Sequence, residues 1–298
     1  MRRPIIWLDG ELVRAGDSLL HSLTPGVLKA QGVFETMRAE EGGIFLWERH
    51  WERMARGLKV LHLGWPVSRE KIYQNIRRVF RLNDFQDARV RLTVWRESGR
   101  LRSSIVCQPL LGVLPQAYRR GFKAAISDVR HKKTAYSHIK SLDYHRLREA
   151  YLDAKSKGFD EAILLNSRGR VVEGSRTNVF FVKNRVLYTP PVRCGCLNGI
   201  TRQTVIQDAR RLGIPCLIQE AFVRDVLGAD ESFLTNSLIG VMPLAYLNTR
   251  LIGRGAVTLR LLRAYRQRVR ESMGPRGLKS AGRRGKQIKK PSLLDNPA

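Results

Sequence analysis

The sequence predicts an α+β protein of two domains. Its 298 residues, 43% of them hydrophobic, exceed one domain of roughly 100–200 residues and supply apolar material for two cores. Period-two apolar stretches and helix-length amphipathic stretches alternate along the chain, with turn residues between them. The segment Pro115 to Gly121 interrupts both patterns. Residues 1–116 are therefore expected to form a small α+β domain, 117–121 a linker, 122–272 a larger domain and 273–298 a basic tail. No repeat period is visible.

The elements follow in order. Ile5 to Leu8 reads as a strand closed by Asp9-Gly10, a hairpin turn signal. Gly32 to Arg38 is a second strand, and Gly42-Gly43 turns the chain into Ile44-Phe45-Leu46. Helices are expected over Glu48–Lys59 and Ser68–Arg81. Val90 to Trp95 alternates with period two, as a half-buried strand does. Ile105 to Leu114 holds a further strand, with Pro109 at an edge or bulge because it has no N–H to donate. Phe122–Val129 is a strand, and Tyr144–Ser156 is a helix ended by Gly158. Glu161–Asn166 is a strand that turns at Gly169. Val179–Val182 and Val186–Tyr188 make a hairpin around Lys183-Asn184. Gly199–Leu212 is a helix, Ser232–Thr235 a short strand and Val257–Arg270 the last helix.

Lysine and arginine number 54 against 26 aspartates and glutamates, a formal net charge of +28. Such a charge suits phosphate polymers. From Pro275 onward, however, Arg276, Lys279, Arg283, Arg284, Lys286, Lys289 and Lys290 lie among Gly, Ser and Pro. No aromatic or apolar period accompanies them, which is the composition of a disordered tail. The remaining excess is spread, as at Arg77-Arg78 and Arg210-Arg211, and no nucleic-acid-binding motif goes with it. No apolar run reaches the ~20 residues a membrane helix needs. Asp9 also breaks the first apolar stretch before a signal segment can form, so the expected location is the cytoplasm. Cys107, Cys194, Cys196 and Cys216 are too scattered for a zinc site, and reduced thiols without a metal are expected.

Lys140 sits at an apparent junction before a helix, in Ser137-His138-Ile139-Lys140-Ser141-Leu142-Asp143-Tyr144. A lysine partly buried there has a lowered pKa and attacks a carbonyl as a neutral amine; the plainer reading is a solvated surface charge. Glu173 lies in Val171-Val172-Glu173-Gly174-Ser175-Arg176-Thr177-Asn178. A carboxylate can hold a pyridine nitrogen protonated, whereas the plainer reading is a turn residue. Leu197-Asn198-Gly199-Ile200-Thr201-Arg202 opens a helix whose free N–H groups suit a phosphate. The plainer reading of Thr201 is a helix cap. Thr235-Asn236-Ser237 offers hydroxyls to the same anion, and Arg53 a charge-assisted contact.

Together these segments resemble the class IV aminotransferases, the fold type IV pyridoxal-phosphate enzymes. That family includes branched-chain and D-amino-acid aminotransferases and aminodeoxychorismate lyases. The resemblance runs from residue 5 to 270, through Trp7-Leu8-Asp9-Gly10, Gly32-Val33-Phe34-Glu35-Thr36-Met37-Arg38, His50-Trp51-Glu52-Arg53, the Lys140 and Glu173 segments, Tyr188-Thr189-Pro190-Pro191, Leu197 to Arg202 and Ala229 to Ser237. It implies pyridoxal 5′-phosphate between a small α+β domain and a larger one with a barrel-like sheet, in a homodimer. Lys140 then matches the lysine that bonds the cofactor and later moves the proton. Glu173 matches the partner of the pyridine nitrogen, and Arg53, Ile200, Thr201 and Ser237 match the phosphate ligands. Tyr144 resembles the tyrosine on the cofactor's phenolic oxygen.

Two departures from the family pattern stand out. Thr24 to Gln31 replaces an Asp-Arg-Gly-like stretch, and Asp143 stands where Asn is common. A substrate carboxylate calls for an arginine, whose fork matches its geometry; Arg96, then Arg91, then Arg38 are the candidates. The leading function is amino-acid aminotransferase, branched-chain-like or D-amino-acid-like, acting on an amino acid and a 2-keto acid. The alternative is aminodeoxychorismate lyase, which the stretch Leu234 to Pro243 resembles more closely. A third reading, a nucleic-acid-binding protein with a vestigial fold, is opposed by intact Lys140 and Glu173.

Overall fold

The computed structural model describes residues 3–40, 43–110, 115–134 and 136–273. The tail expected from residue 273 lies outside them except for Met273. The first sheet is antiparallel, with strand order β2-β1-β6-β5-β3-β4. Its strands are β1 (Ile5–Leu8), β2 (Glu11–Arg14), β3 (Gln31–Glu40), β4 (Gly43–Ile44), β5 (Asp87–Glu97) and β6 (Arg100–Pro109). Asp9 and Gly10 have φ of 50° and 109°, the left-handed pair that a two-residue hairpin needs. After α1 (Asp17–Ser22), helices α2 (Trp47–Val60) and α3 (Arg69–Leu82) cover one face. They bury Met54, Leu58, Ile72, Ile76 and Val79 against Val33, Met37, Val90 and Leu92.

One expectation needs correction here. Strand β5 is not half-buried, because every residue from Val90 to Trp95 is buried. Val90, Leu92 and Val94 face the helices, while Trp95 packs on the opposite face with Phe34 and Leu142. The polar alternate positions are thus covered rather than solvated. The segment 117–121, expected as a linker, is helical up to Gly121: α4 (Pro115–Arg120) has proline at the first helical position, where its missing N–H costs nothing.

The second sheet has the order β12-β11-β10-β13-β14-β7-β8-β9, with β15 on β14. Its first members are β7 (Phe122–Ile126), β8 (Glu161–Leu165), β9 (Val171–Gly174), β10 (Asn178–Lys183) and β11 (Val186–Thr189). The others are β12 (Cys216–Ile218), β13 (Glu231–Asn236), β14 (Gly240–Leu247) and β15 (Arg250–Leu251). Register shifts in β14 and β8 bend the sheet, which curls into a half-barrel. The hairpin turn lies at Asn184-Arg185, one residue later than expected, because Lys183 already pairs with Val186. Helices α5 (His145–Ser156), α6 (Ile200–Arg211), α7 (Val223–Leu227) and α8 (Ala256–Met273) flank this sheet. Val205, Ala209, Leu261 and Tyr265 pack on Phe180, Phe233 and Val241. No helix among the described residues is long and apolar enough to cross a membrane.

One segment ties the two halves together. After β7 the chain returns to the first sheet, where Ser141 bridges Val33. Phe34 N donates to the Lys140 carbonyl at 3.0 Å, and Leu142 N to that of Gly32 at 2.9 Å. Gly32 permits this approach: a Cβ there would lie 2.7 Å from both Leu142 Cδ1 and Trp95 Cβ.

Candidate active site

A cavity of about 620 Å³ is lined by residues of both sheets and of this returning segment. Lys140 lines it, with Nζ 4.5 Å from the Phe34 ring centre and 5.7 Å from that of Tyr144. Burial pushes the amine down and Arg53 adds to the effect, while Glu35 and Glu173 oppose it; the outcome is about 8. At that value about a tenth of Lys140 is the neutral amine at pH 7, far more than for an ordinary lysine near 10.5.

Beneath it lies a buried triad. Arg53 donates from Nε and Nη2 to the two oxygens of Glu35, both at 2.7 Å, and His50 Nδ1 lies 2.7 Å from Glu35 Oε2. Burial alone would raise Glu35, but Arg53 and His50 outweigh it and hold the carboxyl down to about 2. The guanidinium is therefore locked in place, with Nη1 left without an acceptor among the described residues.

Glu173 ends the cavity on β9. One carboxylate oxygen accepts from Leu197 N at 3.0 Å, and the other lies 3.5 Å from His131 Nε2. The adjoining turn is fastened by Glu161, which accepts from the hydroxyls of Ser175 and Thr177 and the amide of Arg176. Tyr144 donates its hydroxyl to the Ser175 carbonyl at 2.5 Å, and burial pushes its pKa up.

At another part of the wall, α6 begins at Gly199 without a side-chain cap, and the amides of Ile200 and Thr201 meet no acceptor among the described residues. A Cβ at Gly199 would strike Asn178 Oδ1, so glycine keeps this turn tight. Thr235 Oγ1 is buried without a partner, and Ser237 lines the same space. Uncapped amides plus hydroxyls make an anion cradle. A lysine that sheds its proton easily, a fixed carboxylate and this cradle suit a phosphorylated carbonyl cofactor with a ring nitrogen.

Arg53, Lys140, Tyr144, Glu173, Ile200, Thr201, Ser237 and Arg91 therefore all line one cavity. Arg96 and Arg38 do not. Arg96 is exposed and bonds the His62 carbonyl at 3.2 Å, and Arg38 is taken up by Glu40 at 2.5 Å. Sequence reasoning missed Glu35, His50, Arg89, His131 and Arg176. A usable signal existed for Arg89: it shares the parity of Arg91 on β5, a strand whose apolar residues mark it as core.

Residues 32–246 match the Amino-transferase class IV family. The chain is 34% identical over 285 residues to a branched-chain-amino-acid aminotransferase of Pseudomonas aeruginosa, covering 89% of this chain and 92% of that one. It is 29% identical over 289 residues to the aminodeoxychorismate lyase of Bacillus subtilis, covering 92% and 97%. Among solved structures, the branched-chain aminotransferase of the archaeon Thermoproteus uzoniensis, with norvaline, superposes with a TM-score of 0.79 at 31% identity, covering 89% and 94%. A further branched-chain amino acid aminotransferase, solved with pyridoxamine 5′-phosphate, superposes with a TM-score of 0.78 at 28% identity, covering 90% and 94%. The chain belongs to the aminotransferase class IV family, and pyridoxal 5′-phosphate is its cofactor.

Proposed function

We propose that Lys140 carries the cofactor and moves the proton while an amino group passes between an amino acid and a 2-keto acid. The observation that carries this reading is a lysine amine lowered to about 8 in a cavity that also holds Glu173 and the uncapped start of α6. Pyridoxal phosphate, when bound, supplies an electron sink for the charge left by loss of the α-proton. Glu173, fixed by the Leu197 amide, is assigned to the pyridine nitrogen. Ile200, Thr201, Ser237 and the free Nη1 of Arg53 are assigned to the phosphate, and Tyr144 to the phenolic side of the ring. Lys140, as a neutral amine, takes the proton from the substrate's α-carbon and returns it. In this reading the small domain is 1–116 and the cofactor-binding domain 122–272, and the enzyme is a cytoplasmic homodimer. Light scattering on the purified protein checks the dimer.

The decisive experiment is the visible spectrum of protein supplied with cofactor, for wild type and Lys140→Ala, before and after adding single amino acids. A Lys140-dependent band that an amino acid bleaches is expected, and the responsive amino acid names the substrate. Absence of any band overturns the reading.

A second reading, aminodeoxychorismate lyase, is favoured by the Bacillus subtilis relative and by the stretch Leu234 to Pro243. Lys140 would take the same proton, after which pyruvate leaves. A band that no amino acid shifts, together with pyruvate release from aminodeoxychorismate, selects it.

A further inference from the structure

Helix α8 gathers charge that the rest of the sequence spreads. It holds five arginines and a single carboxylate, Glu271, which accepts from Gln267 at 2.8 Å. Arg268 is neutralised by Asp208, to which it donates at 2.5 Å. Arg260, Arg263, Arg266 and Arg270 are all exposed. At 3.6 residues per turn they fall within about 120° of the helix surface. The opposite side is buried, where Val257, Leu261, Tyr265 and Val269 pack against the second sheet. Arg260 donates to the Leu212 carbonyl at 3.0 Å, and the Arg266 guanidinium lies 4.6 Å from the centre of the Tyr118 ring. Arg263 and Arg270 have no partner among the described residues.

The last turn of α6 widens this face. Arg210 and Arg211 are exposed there, next to the Leu212 carbonyl that Arg260 reaches. Asp208, itself buried, is shared by Arg211, at 3.7 Å, and Arg268. Beyond α8 the sequence adds seven lysines and arginines between residues 276 and 290, with no aspartate or glutamate from 272 to 294. None of these α6 and α8 arginines lines the catalytic cavity.

Like charges three or four residues apart on a helix repel. Arg260, Arg263 and Arg266 stand at three-residue steps and Arg270 four residues further on, so the face works against itself until anions cover it. Guanidinium forks grip phosphate oxygens two at a time. From Arg260 to Arg270 the helix rises about 15 Å, a length over which a nucleic-acid duplex presents about nine phosphates. A membrane fits less well. Surface helices bury an apolar side in lipid, but that side of α8 already lies against the sheet and leaves Leu259 as its one exposed large apolar residue.

We propose that the exposed face of α8, extended by Arg210 and Arg211, docks the phosphate backbone of nucleic acid without reading its sequence, at a distance from the catalytic cavity. The enzyme thereby carries a second, polyanion-binding function.

The test is fluorescence anisotropy of a labelled DNA duplex of arbitrary sequence, titrated with full-length protein across a salt series. Binding should weaken about 100-fold or more between about 50 and 200 mM salt, as four or more phosphate contacts require. Arg263→Gln with Arg270→Gln should make the log–log salt slope shallower by about two. Arg263→Lys with Arg270→Lys should restore most of that slope, since lysine also neutralises phosphate. Arg77→Gln with Arg78→Gln removes the same charge from exposed positions of α3; it should change affinity less than about threefold, because charges beyond a screening length of about 8 Å act little on the bound strand. The visible band of cofactor-loaded protein and its melting temperature should be the same in the α8 variants as in wild type, which separates lost docking from a lost fold. An α8 double variant that binds the duplex as wild type does overturns the proposal. So does an equal loss in the α3 variant, which reduces the attraction to net charge alone. Tighter binding to vesicles of mixed phosphatidylserine and phosphatidylcholine than to the duplex, lost on the same α8 substitutions, assigns the face to a membrane and overturns it too.

Discussion

Lys140 and Glu35 titrate well below their ordinary values, and each shift makes a measurable claim. Because the Lys140 amine deprotonates near 8 rather than 10.5, the rate at which apo protein takes up pyridoxal phosphate should rise with pH and reach half its maximum near 8. A midpoint near 10.5 contradicts the buried, charge-crowded amine. Glu35 is depressed from 4.5 to about 2, so its contribution to stability is complete above about 4.5 and is lost as the pH falls toward 2. Glu35→Gln leaves Arg53 without its counter-charge, which should cost about 3–5 kcal/mol at pH 7, read by urea denaturation. It should also flatten the acid limb between about 4.5 and 2. His131 invites a third measurement. Its Nδ1 is buried without a partner and its Nε2 stands beside Glu173, so His131→Asn should weaken cofactor affinity while leaving the melting temperature of apo protein within a few degrees. Unchanged affinity would reduce His131 to packing. Lys140, Glu173 and Arg53 could be singled out as candidates because each sits in a recognisable string, and they meet in one cavity. His131 and Arg89 were not, because a lone histidine or strand arginine acquires meaning only when the fold sets it beside another charge.

Among the elements, β5 shows why a correct strand can be misjudged. Its alternation of apolar and polar residues was readable, and so was its place in the chain. What failed was the half-burial: the face that carries Arg91 and Thr93 is covered as well. They face the covered side of the sheet, and no local pattern distinguishes solvent from a cavity wall. The long helices α2, α3, α5, α6 and α8 were legible almost to their ends because their apolar stripes and terminal signals agree, as at the Ser68 cap of α3, which accepts from Lys71 N; the short α1, α4 and α7 have too few turns to show a stripe. Strands β9 and β14 went unread because their residues are buried nearly throughout, so periodicity had nothing to mark. Element spacing itself can be tested at Gly32. An alanine there meets Trp95 and Leu142 at 2.7 Å and the Val94 carbonyl more closely still, so β3, β5 and the lysine segment must separate. Gly32→Ala should destabilise by about 1–3 kcal/mol and loosen cofactor binding, measured by thermal melting and cofactor titration. Wild-type values of both would show that the strands yield freely.

At the scale of the molecule, the two-sheet architecture was legible from the order of the elements, but their junction was not, because contacts between distant residues leave no local trace. The charge of +28 acts on the whole surface. Self-repulsion destabilises the compact state, so raising salt to physiological strength, where the screening length is about 8 Å, should raise the melting temperature. The way the lysine segment is held bears on recombination. By chain order Lys140 belongs with the second sheet; by the backbone hydrogen bonds of Lys140 to Phe34 and of Leu142 to Gly32 its segment belongs to the first. A chimaera with a relative, spliced at Gly121 where the chain passes between sheets, would set one parent's lysine strap on the other parent's β3. Carrying residues 139–142 with the N-terminal parent keeps that seam native, so inheritance of the cofactor site should follow the strap and its strand together.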